Sequence, residues 1–121
     1  MFYVMIFAFS LLSCAQEQTE TDWYENGQKR REYTYNKYEQ PISDIYWYKN
    51  GQKKSEDNYI DGVLHGTSTY YENGQKKEEK NYKDGELHRT STYYKNGQKN
   101  IEINFKDGKK HGPYTQWHEN G

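Results

Sequence analysis

His65, His88 and His111 recur at an offset of 23 residues, and imidazoles in such a series invite a reading as metal ligands. Distance argues against it. Two strands per repeat at about 4.8 Å each hold equivalent positions about 10 Å apart, too far to share one ion at Zn–N distances near 2 Å. These histidines are instead expected in turns, bonded to backbone. Glu78 and Glu79 suggest a general acid and base, but neighbours on a strand point to opposite faces and lysines stand close to both, so a solvated charge ladder is expected. No Ser-His-Asp, glycine-rich phosphate loop or Cys-His arrangement occurs in a supporting context. The chain reads as non-enzymatic, with no cofactor and no metal.

Cys14 is the only cysteine, so no disulfide forms within the chain. Met1 to Ser13 is uncharged and nearly all apolar, and the polar stretch AQEQTETD follows Cys14 at once. A segment of this length is too short to cross a bilayer as a helix and fits the core of a signal peptide. Leu11-Leu12-Ser13-Cys14 resembles the bacterial lipobox, in which a small residue precedes the cysteine that is diacylated and becomes the new N-terminus. The resemblance implies a signal peptide over 1–13, lipid attachment at Cys14 and a polar tether over 14–22. It also implies a lipid-anchored place at the bacterial cell envelope, periplasmic or surface-facing; an unprocessed signal would leave the chain cytoplasmic. Two or three acyl chains at one site suffice for stable anchoring. This lipid is the only expected membrane contact.

The rest of the chain is a repeat. WYENGQK from Trp23, WYKNGQK from Trp47, YYENGQK from Tyr70, YYKNGQK from Tyr93 and WHENG from Trp117 lie at offsets of 24, 23, 23 and 24 residues. Such self-similarity means an array in which each unit packs on its neighbours. Asn-Gly suits a type I′ turn, which needs positive φ at both central residues, and it recurs at 26–27, 50–51, 73–74, 96–97 and 120–121. Asp-Gly-x-x-His-Gly at 61–66 and 107–112, with Asp-Gly-x-x-His-Arg at 84–89, reverses the chain between hairpins. A two-residue turn at Asn73-Gly74 predicts the pairs Glu72 with Gln75, Tyr71 with Lys76, Thr69 with Glu78 and Thr67 with Lys80. The first unit departs: NKYEQPIS at 36–43 replaces the Asp-Gly motif, and Pro41 predicts a longer loop or an edge. The last Asn-Gly ends the sequence, which would leave strand 113–118 as an open edge.

Composition agrees with a thin array. Hydrophobic residues make up 31% and charged residues 29%, with a mean hydropathy of -1.44, too polar for the usual compact core. Yet 14 Tyr, 3 Trp and 4 Phe with a net charge of -1 are not the composition of a disordered chain. The fold class that follows is all-β, an elongated single-layer antiparallel meander of repeated hairpins over 23–121. Near-zero net charge without an uncountered basic cluster excludes nucleic acid as a partner and counts against lipid headgroups.

The pattern YY-x-NG-Q-K followed by [YF]-x-DG-x-x-HG resembles the MORN-repeat variant, in particular the YwqK-type antitoxins of bacterial toxin–antitoxin systems. The resemblance spans residues 23–121 and implies an elongated repeat sheet. It names no active residues. Tyr48, Tyr71 and Tyr94 form one expected column, and Trp47, Tyr70, Tyr93 and Trp117 another. A column of this kind is either the sheet's own packing or a rigid aromatic strip for a protein partner, and Tyr48, Tyr71 and Tyr94 are the candidate protein-binding residues. The expected function is a scaffold that binds a protein, an envelope component or a toxin. The alternative, implied by the resemblance, is an antitoxin or immunity protein that neutralises a partner toxin by direct binding.

Overall fold

The computed structural model describes residues 16–118. The signal-peptide segment 1–13, the lipid attachment at Cys14 and the fifth Asn-Gly pair lie outside the described residues. The strands are β1 (Gln18–Trp23), β2 (Lys29–Tyr35), β3 (Pro41–Trp47), β4 (Lys53–Ile60), β5 (Val63–Leu64), β6 (Gly66–Glu72), β7 (Gln75–Lys83), β8 (Glu86–Leu87), β9 (Arg89–Lys95), β10 (Gln98–Lys106) and β11 (Lys109–Gln116). They form one open antiparallel sheet in the order β1-β2-β3-β4-β6-β7-β9-β10-β11, with the short β5 and β8 pairing back onto β4 and β7. The all-β meander expected from the repeat is the observed fold. Strand begins at Gln18, so the second half of the segment expected as a tether is already the first strand, paired with β2.

The Asn-Gly pairs make two kinds of turn. Asn73-Gly74 and Asn96-Gly97 have positive φ at both residues (52° and 76°, 52° and 77°), the expected type I′ geometry. At Gly27 and Gly51 only the glycine is left-handed, and the turn closes as a three-residue loop in which Tyr24 N–H donates to Gln28 O at 2.8 Å and Tyr48 N–H to Gln52 O at 2.8 Å. The Asn26 and Asn50 side chains there accept from Gln28 N–H and Gln52 N–H. This is the type I turn with a glycine bulge, not the expected type I′. Within the seven-residue motif the two kinds differ only in Trp23 and Trp47 standing where Tyr70 and Tyr93 stand.

Each hairpin also carries a bulge one or two pairs beyond its turn, with Arg30, Lys54, Lys77 and Asn100 left without an opposite residue. Beyond Tyr71–Lys76 the observed pairs are therefore Tyr70–Glu78, Thr69–Glu79 and Thr67–Asn81, one residue off the predicted register. A one-residue slip exchanges the faces. Tyr70 shares a face with Glu78 and Lys80, while Thr69 and Tyr71 share the other with Lys76 and Glu79. The longer first loops shift Trp23 and Trp47 as well, so Trp47 lies on the face opposite Tyr70 and Tyr93 and the expected second column is split.

Pro41 starts β3, which lies inside the sheet between β2 and β4. The preceding connection is a tight loop, not a long one: Asn36 Oδ1 accepts from Tyr38 N–H and Gln40 N–H, and Glu39 takes a left-handed φ of 61°. A proline at a strand's first residue leaves its missing donor outside the ladder.

Among the described residues no hydrophobic side chain is buried; the buried ones are Asp44, Thr69, Ser91 and Thr92. The sheet is one layer thick, and its units hold each other side by side. At one end Gln28, Gln52 and Gln75 lay their amides over Gly51, Gly74 and Gly97 of the next turn. At the other, Gln40, Val63 and Glu86 lie against Gly62, Gly85 and Gly108. His65 Nδ1 likewise accepts from Asp84 N–H of the next unit at 3.4 Å, the backbone bond expected of the turn histidines.

Candidate interaction surface

Strand alternation divides the sheet into two chemically distinct faces. On the first, Lys29, Lys53, Lys76 and Lys99 each bond a glutamate three residues on, Glu32, Glu56, Glu79 and Glu102. Asn58, Asn81 and Asn104 on this face donate from Nδ2 to the backbone oxygens of Thr67, Thr90 and Pro113 at 2.7 to 2.8 Å. Thr67 and Thr90 in turn bond Asn81 and Asn104. This ladder face spends its polar groups internally: the lysine–glutamate bond recurs in all four units, and the asparagine bond in three, with Thr34 bonding Thr19 in the first. Hydrogen bonding to Glu79 and to Glu102 raises Lys76 and Lys99 above the usual lysine range.

The second face carries most of the tyrosines. Arg31 sits at its N-terminal end, forking onto Asp44 with both contacts at 2.8 Å, over the rings of Tyr33 at 4.7 Å and Tyr46 at 5.2 Å. That fork raises the guanidinium well above its ordinary value. Asp57, directly opposite Asp44, accepts from Ser68 Oγ instead. Further along, Glu78 pairs with Lys80 at 2.7 Å. Burial raises the Tyr46, Tyr59 and Tyr93 phenols, with neighbouring carboxylates adding to the shift.

The repeat changes character at β10. By register, Arg31, Ser55, Glu78 and Ile101 occupy one position in successive units, and Tyr33, Asp57, Lys80 and Ile103 the next. Tyr35, Tyr59, Tyr82 and Phe105 occupy the third. Only in the last unit are all three apolar. Ile101, Ile103 and Phe105 thus form a stripe along β10, half-exposed in a one-layer sheet, with Tyr93 and Tyr114 opposite Ile101 and Ile103 in the flanking strands. Tyr114 is 57% exposed, and β11 is exposed along its whole length. Neighbouring Ser91 is 1% exposed and its hydroxyl has no partner, because Lys80 stands where Asp57 serves Ser68.

The sequence-predicted column is placed as follows. Tyr48 lies in the turn loop after β3, and its hydroxyl donates to Tyr71 O and is hydrogen-bonded to the Tyr70 hydroxyl, both at 3.1 Å. The Tyr70 bond pushes the Tyr48 phenol up to about 12. Tyr24 reaches Trp47 O in the same manner, at 2.8 Å. A shallow cleft of about 570 Å³ brings Tyr24 and Tyr48 together with Asn50, Gln52 and Asn73, but not Tyr71 or Tyr94. Tyr71 and Tyr94 are the next-to-last residues of β6 and β9, on the ladder face opposite Lys76 and Lys99. All three are half-buried. The β10 stripe went unnoticed in the sequence, where its signal is the replacement of charged repeat positions by Ile101 and Ile103. The ladder's signal is Lys-x-x-Glu directly after each Asn-Gly-Gln.

An open, single-layer antiparallel sheet built from a hairpin repeat, with neither face covered among the described residues, defines a β-repeat class of protein. The MORN repeat variant matches residues 19–37, 45–61, 64–84 and 89–107, together more than half of the chain. The chain belongs to that family. No curated protein matches it.

Proposed function

We propose that this chain is a non-enzymatic scaffold that binds another protein through its repeat sheet, held at the bacterial cell envelope by lipid on Cys14. The observation that carries the reading is the contrast between faces: the ladder face satisfies its own polar groups, whereas the tyrosine face ends in an apolar stripe with no second layer over it among the described residues. A sheet face of this composition gains free energy on association, at about 25 cal/mol per Å² of apolar surface removed from water. The exposed rings add contact area at small entropic cost. The envelope half of the reading rests on the lipobox resemblance at Leu11 to Cys14.

The repeat pattern's resemblance to YwqK-type antitoxins favours a second reading, direct neutralisation of a toxin. An envelope immunity protein acting on an incoming effector would satisfy both.

Metabolic labelling with a fatty-acid analogue, comparing the native chain with Cys14→Ala, followed by chemical cross-linking of the membrane fraction, tests both halves. Label lost in the variant, with one defined cross-linked adduct in the native membrane fraction, is expected. An unlabelled cytosolic chain that cross-links to a toxin would overturn the envelope scaffold in favour of a cytosolic antitoxin.

A further inference from the structure

We infer that the Asp-Gly end of the ladder face holds a site for a small soluble phosphate, inorganic phosphate or a phosphomonoester, built from Lys83, His88 and Arg89 with His65 of the unit before. This goes beyond the scaffold reading and does not depend on it. A cleft of about 290 Å³ lies between His65 and Gly66 where β6 begins, Asn81 to Lys83 at the end of β7, and His88 and Arg89 where β9 begins. Its volume stands at the small end of ligand sites, which run upward from about 300 Å³. Its lining holds two cations and two imidazoles but no carboxylate.

What all units share builds the sheet, so a site of this kind stands out where one unit departs. Ile60 with Gly66, Lys83 with Arg89, and Lys106 with Gly112 occupy the same two positions in successive units, and only the middle unit has a cation at both. Gly66 and Gly112 each take a left-handed φ of 85°, and Arg89 keeps a φ of 63° in their place. The left-handed residues of the Asn-Gly and Asp-Gly turns are Asn, Asp and Gly, the types that adopt this conformation most readily. An arginine there is strained. Among the described residues its side chain has no ion pair, hydrogen bond or ring contact to offset that strain.

A Cβ on Gly66 would stand 4.0 Å from Asn58 Cβ, and one on Gly112 4.0 Å from Asn104 Cβ, so at the equivalent position the Arg89 side chain leaves β9 over Asn81, on the ladder face. Lys83 shares that face by alternation from Asn81. Both cations are exposed, and among the described residues Lys83 has no partner either. His65 Nδ1 accepts from Asp84 N–H at 3.4 Å, which leaves Nε2–H as that ring's donor. The Asp84 carboxylate lies 3.6 Å from the same Nδ1 and outside the lining. A guanidinium fork, an ammonium and an imidazole donor match a dianion with several oxygens better than a monocarboxylate. An anionic membrane surface fits less well, since clusters of about 4–8 basic residues hold one and the chain has a net charge of -1.

Isothermal titration of the full chain with inorganic phosphate and with glycerol 3-phosphate tests this, in wild type, Arg89→Gly, Lys83→Ile and Lys106→Ile. Arg89→Gly restores the glycine of the neighbouring units and Lys83→Ile the residue of the unit before, so both variants are expected to fold. One phosphate per chain is expected, bound about tenfold or more weakly by Arg89→Gly and by Lys83→Ile, the worth of one charged hydrogen bond. Lys106→Ile removes a cation from the same repeat position outside the cleft and is expected to leave the affinity unchanged. Without phosphate Arg89→Gly is expected to melt higher than wild type, through release of strain, and added phosphate to raise wild type more than the variant. An absence of phosphate binding, an equal loss in Lys106→Ile, or acetate bound as tightly as phosphate would overturn the site. So would an Arg89→Gly chain that melts lower than wild type, because the arginine would then serve the fold. Binding to phosphatidic acid vesicles with none to glycerol 3-phosphate would overturn it as well. None of these outcomes bears on the scaffold reading, which cross-linking to a protein tests separately.

Discussion

Arg31 forks onto Asp44 from the neighbouring strand, and Asp44 in turn lies directly opposite Asp57. Two carboxylates in register repel, and the guanidinium, stacked between Tyr33 and Tyr46, is what permits the arrangement. The Asp44 side chain is only 12% exposed, so removing its partner leaves a poorly solvated charge. Arg31→Met is expected to cost about 2 kcal/mol, less than a fully buried pair because Arg31 is itself partly solvated. Urea unfolding of Arg31→Met, Asp44→Asn and the double variant checks it. The double variant is expected to be less destabilised than the sum of the singles.

Ser68 and Ser91 occupy the same repeat position with opposite consequences. Ser68 Oγ donates to Asp57, while the buried Ser91 hydroxyl has no partner. Ser68→Ala is expected to destabilise by about 1–2 kcal/mol, the value of a hydrogen bond to a charged group. Ser91→Ala is expected to be neutral or stabilising, since it removes an unsatisfied hydroxyl. Equal losses at the two sites by thermal or urea unfolding would contradict this assignment.

Gln52 and Gly74 couple neighbouring turns. A Cβ on Gly74 would stand 2.9 Å from Gln52 Nε2, at a backbone φ of 76°. Gly74→Ala is therefore expected to cost about 1–3 kcal/mol, from left-handed strain together with displacement of the amide. Part of that cost is expected to vanish in a Gln52→Ala background, giving a measurable coupling in a double-mutant cycle. Strict additivity would mean that the amide moves aside freely.

Tyr48 gives the fold an alkaline limit. Its phenol is pushed up to about 12 by the hydrogen bond with Tyr70, above the value near 10 of an unfolded tyrosine. Between those values the folded state holds the proton more tightly than the unfolded one. The stabilisation is complete below about pH 10 and is lost as pH rises through about 12. Tyr48→Phe is expected to be less stable at pH 8 and to lose less further stability between pH 10 and 12 than wild type. Unfolding midpoints across that window are the check.

Much of the architecture was legible because Asn-Gly and Asp-Gly state their turn geometry directly and recur at a constant period. Residue type and spacing therefore led to hairpins, to their order and to a thin sheet with no buried hydrophobic side chain among the described residues. Register was not legible. The bulges at Arg30, Lys54, Lys77 and Asn100 sit in a strand pattern that alternates without interruption, and a bulge shows only in pairing. Because one residue of shift exchanges the faces and the three-residue loops shift Trp47, the predicted column of Trp47, Tyr70 and Tyr93 runs across both sides of the sheet. Tyr48 was expected either in the sheet's own packing or in a surface strip, and its hydroxyl serves the next unit's backbone. The β10 stripe was visible as composition, but two isoleucines become a surface only once Tyr93 and Tyr114 are placed beside them.

The central claim is that a partner protein is bound through the tyrosine face near β10 and not through the ladder face. The most direct measurement places a photo-cross-linking amino acid at Ile103 or Tyr114 on the tyrosine face and at Glu102 or Thr115 on the ladder face, in cells that express the full chain. One discrete protein adduct from Ile103 and Tyr114, absent from Glu102 and Thr115, is the expected result. Adducts from the ladder face alone, or equal labelling from both faces, would contradict it.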